Sequence, residues 1–193
     1  MILYATKKTK ERLHIPFYDD LKEDVKDIAR AVFAKEEEQI FKWGLKIFYF
    51  DRRKCLQILN FASKFCVFLV DVKVKDLKKI GEMVAYYLQL IYNDDEEALK
   101  LLNCYFSESP ISVFDALKDK GAIASLNFNE EGFLQYGYRL YDYLEDGILH
   151  TIKLNKHYNL EYIAGRTVDG KKEYVVPGKE FKKRLSDRYG KSL

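Results

Sequence analysis

Cysteine, histidine, proline and glycine are all scarce in this chain of 193 residues, with three, three, three and ten copies. The cysteines, Cys55, Cys66 and Cys104, are odd in number, lack metal-type spacing and sit inside apolar runs. That excludes a disulfide framework and points to reduced thiols that pack as small hydrophobes, in a cytoplasmic protein. His14, His150 and His157 have no cysteine within a few residues, so neither a zinc cluster nor any other metal or cofactor is expected. No apolar run nears the roughly 18 residues of a membrane span, and the apolar stretch Met1–Ala5 is too short for a signal-peptide core. No membrane partner follows from the sequence. Gly165 to Gly170 encloses Arg166-Thr167-Val168-Asp169 without the lysine and hydroxyl residue of a phosphate-cradling loop, so it reads as a turn. No repeat or low-complexity linker divides the chain.

What is abundant is apolar and aromatic surface, 48% and 15% of residues, too much for a disordered chain and enough for one domain with its own core. Lysine outnumbers arginine, and tyrosine and phenylalanine supply nearly all the aromatics, the bias of an AT-rich bacterial or phage genome. The net charge of +3 conceals segregation. Residues 1–13 carry four basic and one acidic side chain, and residues 46–80 nine and three; residues 81–149 carry four and thirteen, and residues 164–193 nine and four. Two readings stand: acidic helix faces with lysines guarding strand edges, or basic blocks converging on an anionic ligand.

The hydropathy pattern divides the chain into a sheet-rich part, 1–72, and a mainly helical part, 73–193. Ile2 to Ala5 reads as a strand, with Thr6 capping the turn at Lys7 and Lys8. Leu21, Val25, Ile28, Ala29, Val32 and Phe33 recur at helical spacing, with Glu36-Glu37-Glu38 at the end. Leu45–Phe50, Lys54–Leu59 and Phe65–Asp71 are apolar runs joined by connectors too short for crossovers, which predicts an antiparallel meander. The third run lacks polar alternation and is expected to be a central strand buried on both faces. Helices are expected over Lys75–Tyr92, Glu96–Tyr105, a short stretch between Pro110 and Gly121, and Glu130–Ile148, where Phe133, Tyr136, Leu140, Leu144 and Ile148 form a stripe. A strand near Glu173–Val176 and a basic helix from Lys179 to Arg188 close the chain. The fold class is α+β, one domain over 1–193: an N-terminal antiparallel meander of about four strands packed against C-terminal helices.

No pattern demands an enzyme. The carboxylate runs Asp94-Asp95-Glu96-Glu97 and Glu130-Glu131 lie where helices begin and complement the helix dipole. The least ordinary feature is the turn Phe50-Asp51-Arg52-Arg53-Lys54, where only Asp51 suits a left-handed backbone and three consecutive cations follow. Arginine grips phosphate or carboxylate with two parallel hydrogen bonds, and alternation sends Arg52 and Arg53 to opposite sides. A solvated turn that discourages aggregation is the alternative reading. The candidate anion contacts are Lys7, Lys8, Arg52, Arg53, Lys54, Lys182, Lys183 and Arg184, with Trp43 and Tyr49 as candidate binding aromatics and no catalytic residue. Tyr136, Tyr138, Tyr141 and Tyr143 are partly core and partly a candidate protein-binding patch.

The order of features resembles a bacterial family of uncharacterised proteins. The resemblance rests on Tyr4-Ala5-Thr6-Lys7-Lys8, Trp43 ahead of Phe50-Asp51-Arg52-Arg53-Lys54-Cys55, Ala124-Ser125-Leu126-Asn127, and Tyr174-Val175-Val176-Pro177. Where the family pattern has Cys, Asn and a His-Ala-Asn-like stretch, this chain has Ala5, Asp51 and Gly44-Leu45. The resemblance implies a shared fold and a bacterial or mobile-element origin, and it supplies no activity. The function expected from the residues is a non-enzymatic binding protein whose basic surface contacts nucleic acid or a host nucleoprotein; a phage or mobile-element protein that inhibits a host defence system fits this reading. Two alternatives stand beside it: an enzyme on a phosphorylated or nucleotide substrate with Arg52 and Arg53 as an anion clamp, and a scaffold or nucleic-acid mimic built from the acidic helices. Strand edges and tyrosines permit a homodimer.

Overall fold

Ile2–Ala5 is β1, a four-residue strand buried along its whole length. In the computed structural model, which describes residues 1–34, 38–135, 138–168 and 170–191, Thr6 ends this strand by capping the next element. Its hydroxyl accepts the Thr9 N–H at 3.3 Å and so starts α1, Lys7–Leu13. The amphipathic α2, Glu23–Phe33, follows. Glu36, Glu37, Tyr136 and Asp169 lie outside the described residues, as does the side chain of Phe133.

The three apolar runs form β2 (Lys42–Phe50), β3 (Arg53–Asn60) and β4 (Cys66–Val70), antiparallel in succession as their tight connectors require. The simple meander needs correction. The sheet has five strands in the order β4-β3-β2-β1-β5, and β1 runs parallel to both of its neighbours, with Ile2 opposite Lys42 and Val113. Parallel pairing is possible because α1 and α2 fill the crossover to β2. A 3-10 segment, Val74–Lys79, then α3 (Ile80–Ile91) and α4 (Glu96–Glu108), fill the crossover to β5 (Val113–Ala116). The helix expected between Pro110 and Gly121 is therefore strand β5, stabilised by a partner more than a hundred residues away.

The long helix expected over Glu130–Ile148 is also corrected. α5 spans Lys120–Gln135, and beyond it Leu140–Tyr143 is a 3-10 turn leading into a small hairpin, β6 (Leu144–Glu145) and β7 (Ile148–Leu149). Asp146 and Gly147 take φ 48° and 77°, the left-handed pair that a two-residue hairpin turn needs. α6, Thr151–Leu160, was not expected from the periodicity. A second hairpin, β8 (Ala164–Val168) with β9 (Lys171–Val175), contains the expected late strand, and α7 (Pro177–Tyr189) closes the chain.

Helices cover both faces of the sheet. On one, Leu3, Trp43, Leu45, Ile47, Leu56, Ile58, Val67 and Leu69 pack with α3, α4 and α7; on the other, Phe48, Cys55, Leu59, Cys66 and Phe68 pack with Leu126 of α5 and Leu154 and Tyr158 of α6. Trp43 is wholly buried, its Nε1 donating to the Tyr105 hydroxyl at 3.0 Å, which donates onward to the Ile40 carbonyl at 3.1 Å.

β4 is buried on both faces as its composition predicts, yet it is an edge strand rather than a central one. Its outer edge is sealed by a helix. Asn155 of α6 accepts the Phe68 N–H at 2.8 Å and donates to the Phe68 carbonyl at 3.0 Å. One turn on, Asn159 does the same for Cys66, at 2.9 and 2.7 Å. Each amide presents a donor and an acceptor together, as a neighbouring strand would, so the ladder ends without an open edge.

Candidate functional site

The pairing directions place the carboxyl ends of β1, β2, β4 and β5 at one end of the sheet, with only β3 opposed. Three cationic segments follow those ends: α1 with Lys7, Lys8 and Arg12; the β2–β3 turn with Arg52, Arg53 and Lys54; and the segment after β4 with Lys73, Lys75, Lys78 and Lys79.

The local chain geometry explains each placement. Thr9 accepts the Ile47 N–H at 2.9 Å through its hydroxyl, which docks α1 against β2 just past the end of β1. Lys7 and Lys8 on its first turn stay exposed, and Arg12 lies 5.4 Å from the centre of the Tyr49 ring. Tyr49 is half exposed and stands directly across from Lys54 in the strand register. Asp51 and Arg52 form a two-residue turn with φ 46° and 64°. Asp tolerates that backbone; arginine pays about 1 kcal/mol for it, which a glycine would not.

The carboxylates at this end are already engaged. Asp71 holds Arg53 through a two-pronged pair, Asp51 accepts the Leu140 N–H at 2.5 Å and lies 3.6 Å from Arg139, and Asp76 accepts the Lys73 N–H at 2.9 Å. Glu11 is 4.0 Å from Lys7. Lys8, Arg52, Lys54, Lys73, Lys75, Lys78 and Lys79 make no ion pair with any described residue.

The anticipated residues therefore divide. Lys7, Lys8, Arg52, Arg53, Lys54 and Tyr49 share the sheet end, though Arg53 is committed to Asp71, so the two arginines do not form a clamp. Trp43 has no ring face open to a ligand, because apolar packing with Phe65 and Phe181 encloses it. The C-terminal candidates lie on α7 and are mostly neutralised from within. Lys182 binds Asp95 and Glu97, each at 2.8 Å, and Arg184 binds Glu180 at 2.8 Å; Lys183 is exposed. Arg166 and Arg188 are likewise tied to Glu173, Glu180, Glu108 and Glu38. The acidic middle and the basic tail thus answer one another inside the molecule. Lys182 accordingly holds the Asp95 carboxyl below its ordinary value, helped by the Ala98 N–H that Asp95 caps.

Arg12 and the lysines of Lys73–Lys79 were missed as site residues. Their signal was present in the block count, where residues 46–80 include four of these lysines, but only the strand direction brings them beside the hairpin. Of the tyrosines, Tyr141 is exposed while Tyr143 is buried, with its hydroxyl 2.7 Å from His157 Nδ1. Among the described residues no group of three or more metal-type side chains converges, and no helix is long and apolar enough to cross a membrane.

A family described as Domain of unknown function (DUF6933) matches residues 2–180. The chain belongs to that family. The resemblance carried by Thr6-Lys7-Lys8 and the Arg52-Arg53-Lys54 turn is borne out at that level. In this DUF6933 chain both motifs sit at the same end of the sheet. No curated protein matches the chain.

Proposed function

We propose that this DUF6933 protein binds nucleic acid through the cationic end of its sheet. The observation that supports the reading is that three segments distant in sequence, 7–12, 52–54 and 73–79, follow the strands at the same end of the sheet, with most of their cations unpaired by internal carboxylates. Phosphate backbones are bound by such arrays of Lys and Arg, with affinity drawn from counterion release. The Tyr49 ring between Arg12 and Lys54 adds a stacking surface of the kind that holds unpaired bases. The location also fits, because open sheets commonly hold ligands beyond the carboxyl ends of their strands.

The test is fluorescence anisotropy with labelled single- and double-stranded DNA and RNA across a salt series. Binding is expected at about 50 mM salt and is expected to fall steeply by about 200 mM. The triple variant Lys8→Ala, Arg52→Ala, Lys54→Ala is expected to weaken binding and to lower the log–log salt slope by about one per lost phosphate contact. A control lacking Lys171 and Lys172 on the β8–β9 hairpin should retain the slope. No binding at low salt, or equal losses in both variants, overturns the reading.

A further inference from the structure

Strand alternation puts Tyr49 on the same face of β2 as Trp43, Leu45 and Ile47, all of them buried in the core. Tyr49 itself, one residue before the end of the strand, is 52% exposed. Covering a tyrosine ring is among the larger apolar gains open to a chain, and here it is left unused. Among the described residues the ring stacks on no other ring, and its hydroxyl has no hydrogen-bond partner.

What borders the ring is positive charge. The Arg12 guanidinium lies over it, 5.4 Å from its centre, and Lys54 stands directly across in β3, where facing side chains leave the sheet about 5 Å apart. Neither cation makes an ion pair with any described residue. The contact with Arg12 is not what docks α1, because the buried Leu13 and the bond from the Ile47 N–H to the Thr9 hydroxyl already do so. Two cations without a counter-charge, one from α1 and one from β3, thus frame a ring that faces solvent.

We infer that Tyr49 is a stacking platform for one unpaired base, with Arg12 and Lys54 taking the phosphates that flank it, so that the site prefers single strands. The inference rests on the nucleic-acid reading above and names the class of nucleic acid. A duplex stacks the faces of its bases on one another and offers this site only its phosphates, whereas a single strand offers a base face as well. Stacking accepts any base, since each has a π-face. The selectivity is therefore for strandedness and not for sequence.

The experiment measures the affinity of the full chain for three labelled probes of equal length: an oligothymidylate, an abasic single strand and a duplex. The wild type is expected to hold the oligothymidylate more tightly than the duplex and about 5- to 150-fold more tightly than the abasic strand, the range that one base–aromatic stack spans. Tyr49→Ala should erase the advantage over the abasic strand while leaving abasic and duplex affinities and every salt slope unchanged, because no charge is removed. Tyr49→Phe should keep the advantage. Arg12→Ala and Lys54→Ala should each lower the single-strand salt slope by about 0.7. Equal wild-type affinity for the oligothymidylate and either other probe, or a Tyr49→Ala loss of the same size on all three, overturns the inference and leaves the nucleic-acid reading standing. Absence of binding to every probe at low salt overturns both.

Discussion

Replacing Asn155 by alanine removes one of the two amides that seal β4, and the structure sets the size of the loss. Asn155 is fully buried, and the change removes its hydrogen bonds to both the N–H and the carbonyl of Phe68. An unsatisfied buried backbone group costs about 1–3 kcal/mol, and partial relaxation of α6 will recover some of this, so about 2–4 kcal/mol is expected for the single change. For a chain of this size that is a fall in Tm of about 4–16 °C. Asn155→Asp should be worse, because it keeps the acceptor, loses the donor and buries a charge. Asn103→Ala, on an exposed face of α4, should stay within about 0.5 kcal/mol. Urea unfolding followed by Trp43 fluorescence measures all three. Size-exclusion chromatography of the Asn155→Ala, Asn159→Ala double variant should show association, since an open edge strand recruits another. A loss below about 1 kcal/mol for Asn155→Ala would refute the assignment of the amide as the strand's surrogate partner.

Three further outcomes follow from features of the fold and the site. Arg52→Gly should stabilise the protein by about 0.5–1 kcal/mol in thermal unfolding, by relieving the left-handed arginine, while weakening nucleic-acid binding. Burial alone would raise the Glu180 carboxyl, but hydrogen bonds from Arg184 and Arg166 overcome it and hold it below its ordinary 4.5. Its stabilising contribution is therefore complete above pH 4.5 and is lost as pH falls through the depressed value, so Glu180→Gln should flatten the acid limb of a stability–pH curve and have a stabilising contribution removed at pH 7. Burial pushes the Cys55 thiol up to about 12 and raises Cys66 further from reactivity, whereas Cys104 is only partly buried; a thiol reagent on the native protein should label Cys104 alone, with Cys55 and Cys66 reacting after denaturation.

The parts of the fold written in local chemistry could be read in advance. Thr6 and Asp95 cap helices as their side chains predict, and the short connectors after Phe50 and Asn60 allowed nothing but hairpins. Features set by distant partners could not. Val113–Ala116 is a four-residue strand only because β1 lies beside it, and α6 hides two buried asparagines at positions that periodicity assigns to solvent. Leu140, Leu144 and Ile148 imitate a helical stripe, although the Asp146-Gly147 pair between them is a hairpin signal that should have outweighed the spacing. The site divides in the same way. The basic blocks were visible as composition, but strand direction decides that residues 7–12, 52–54 and 73–79 follow the same end of the sheet, and helix packing decides that the cations of α7 meet glutamates and aspartates instead.

The position of β1 between two parallel partners also dictates an order of assembly. β2, β3 and β4 need only short loops to close and can pair as soon as they exist, whereas β1 must wait for residue 42 on one side and residue 113 on the other. The earliest of the five strands in chain order is thus among the last to gain both neighbours, and its apolar sequence stays half-templated until β5 arrives. Chain lengths that stop short of Val113 should yield a folded hairpin core with an adhesive edge, which makes the interval between synthesis of β4 and β5 the protein's period of greatest exposure to misassembly.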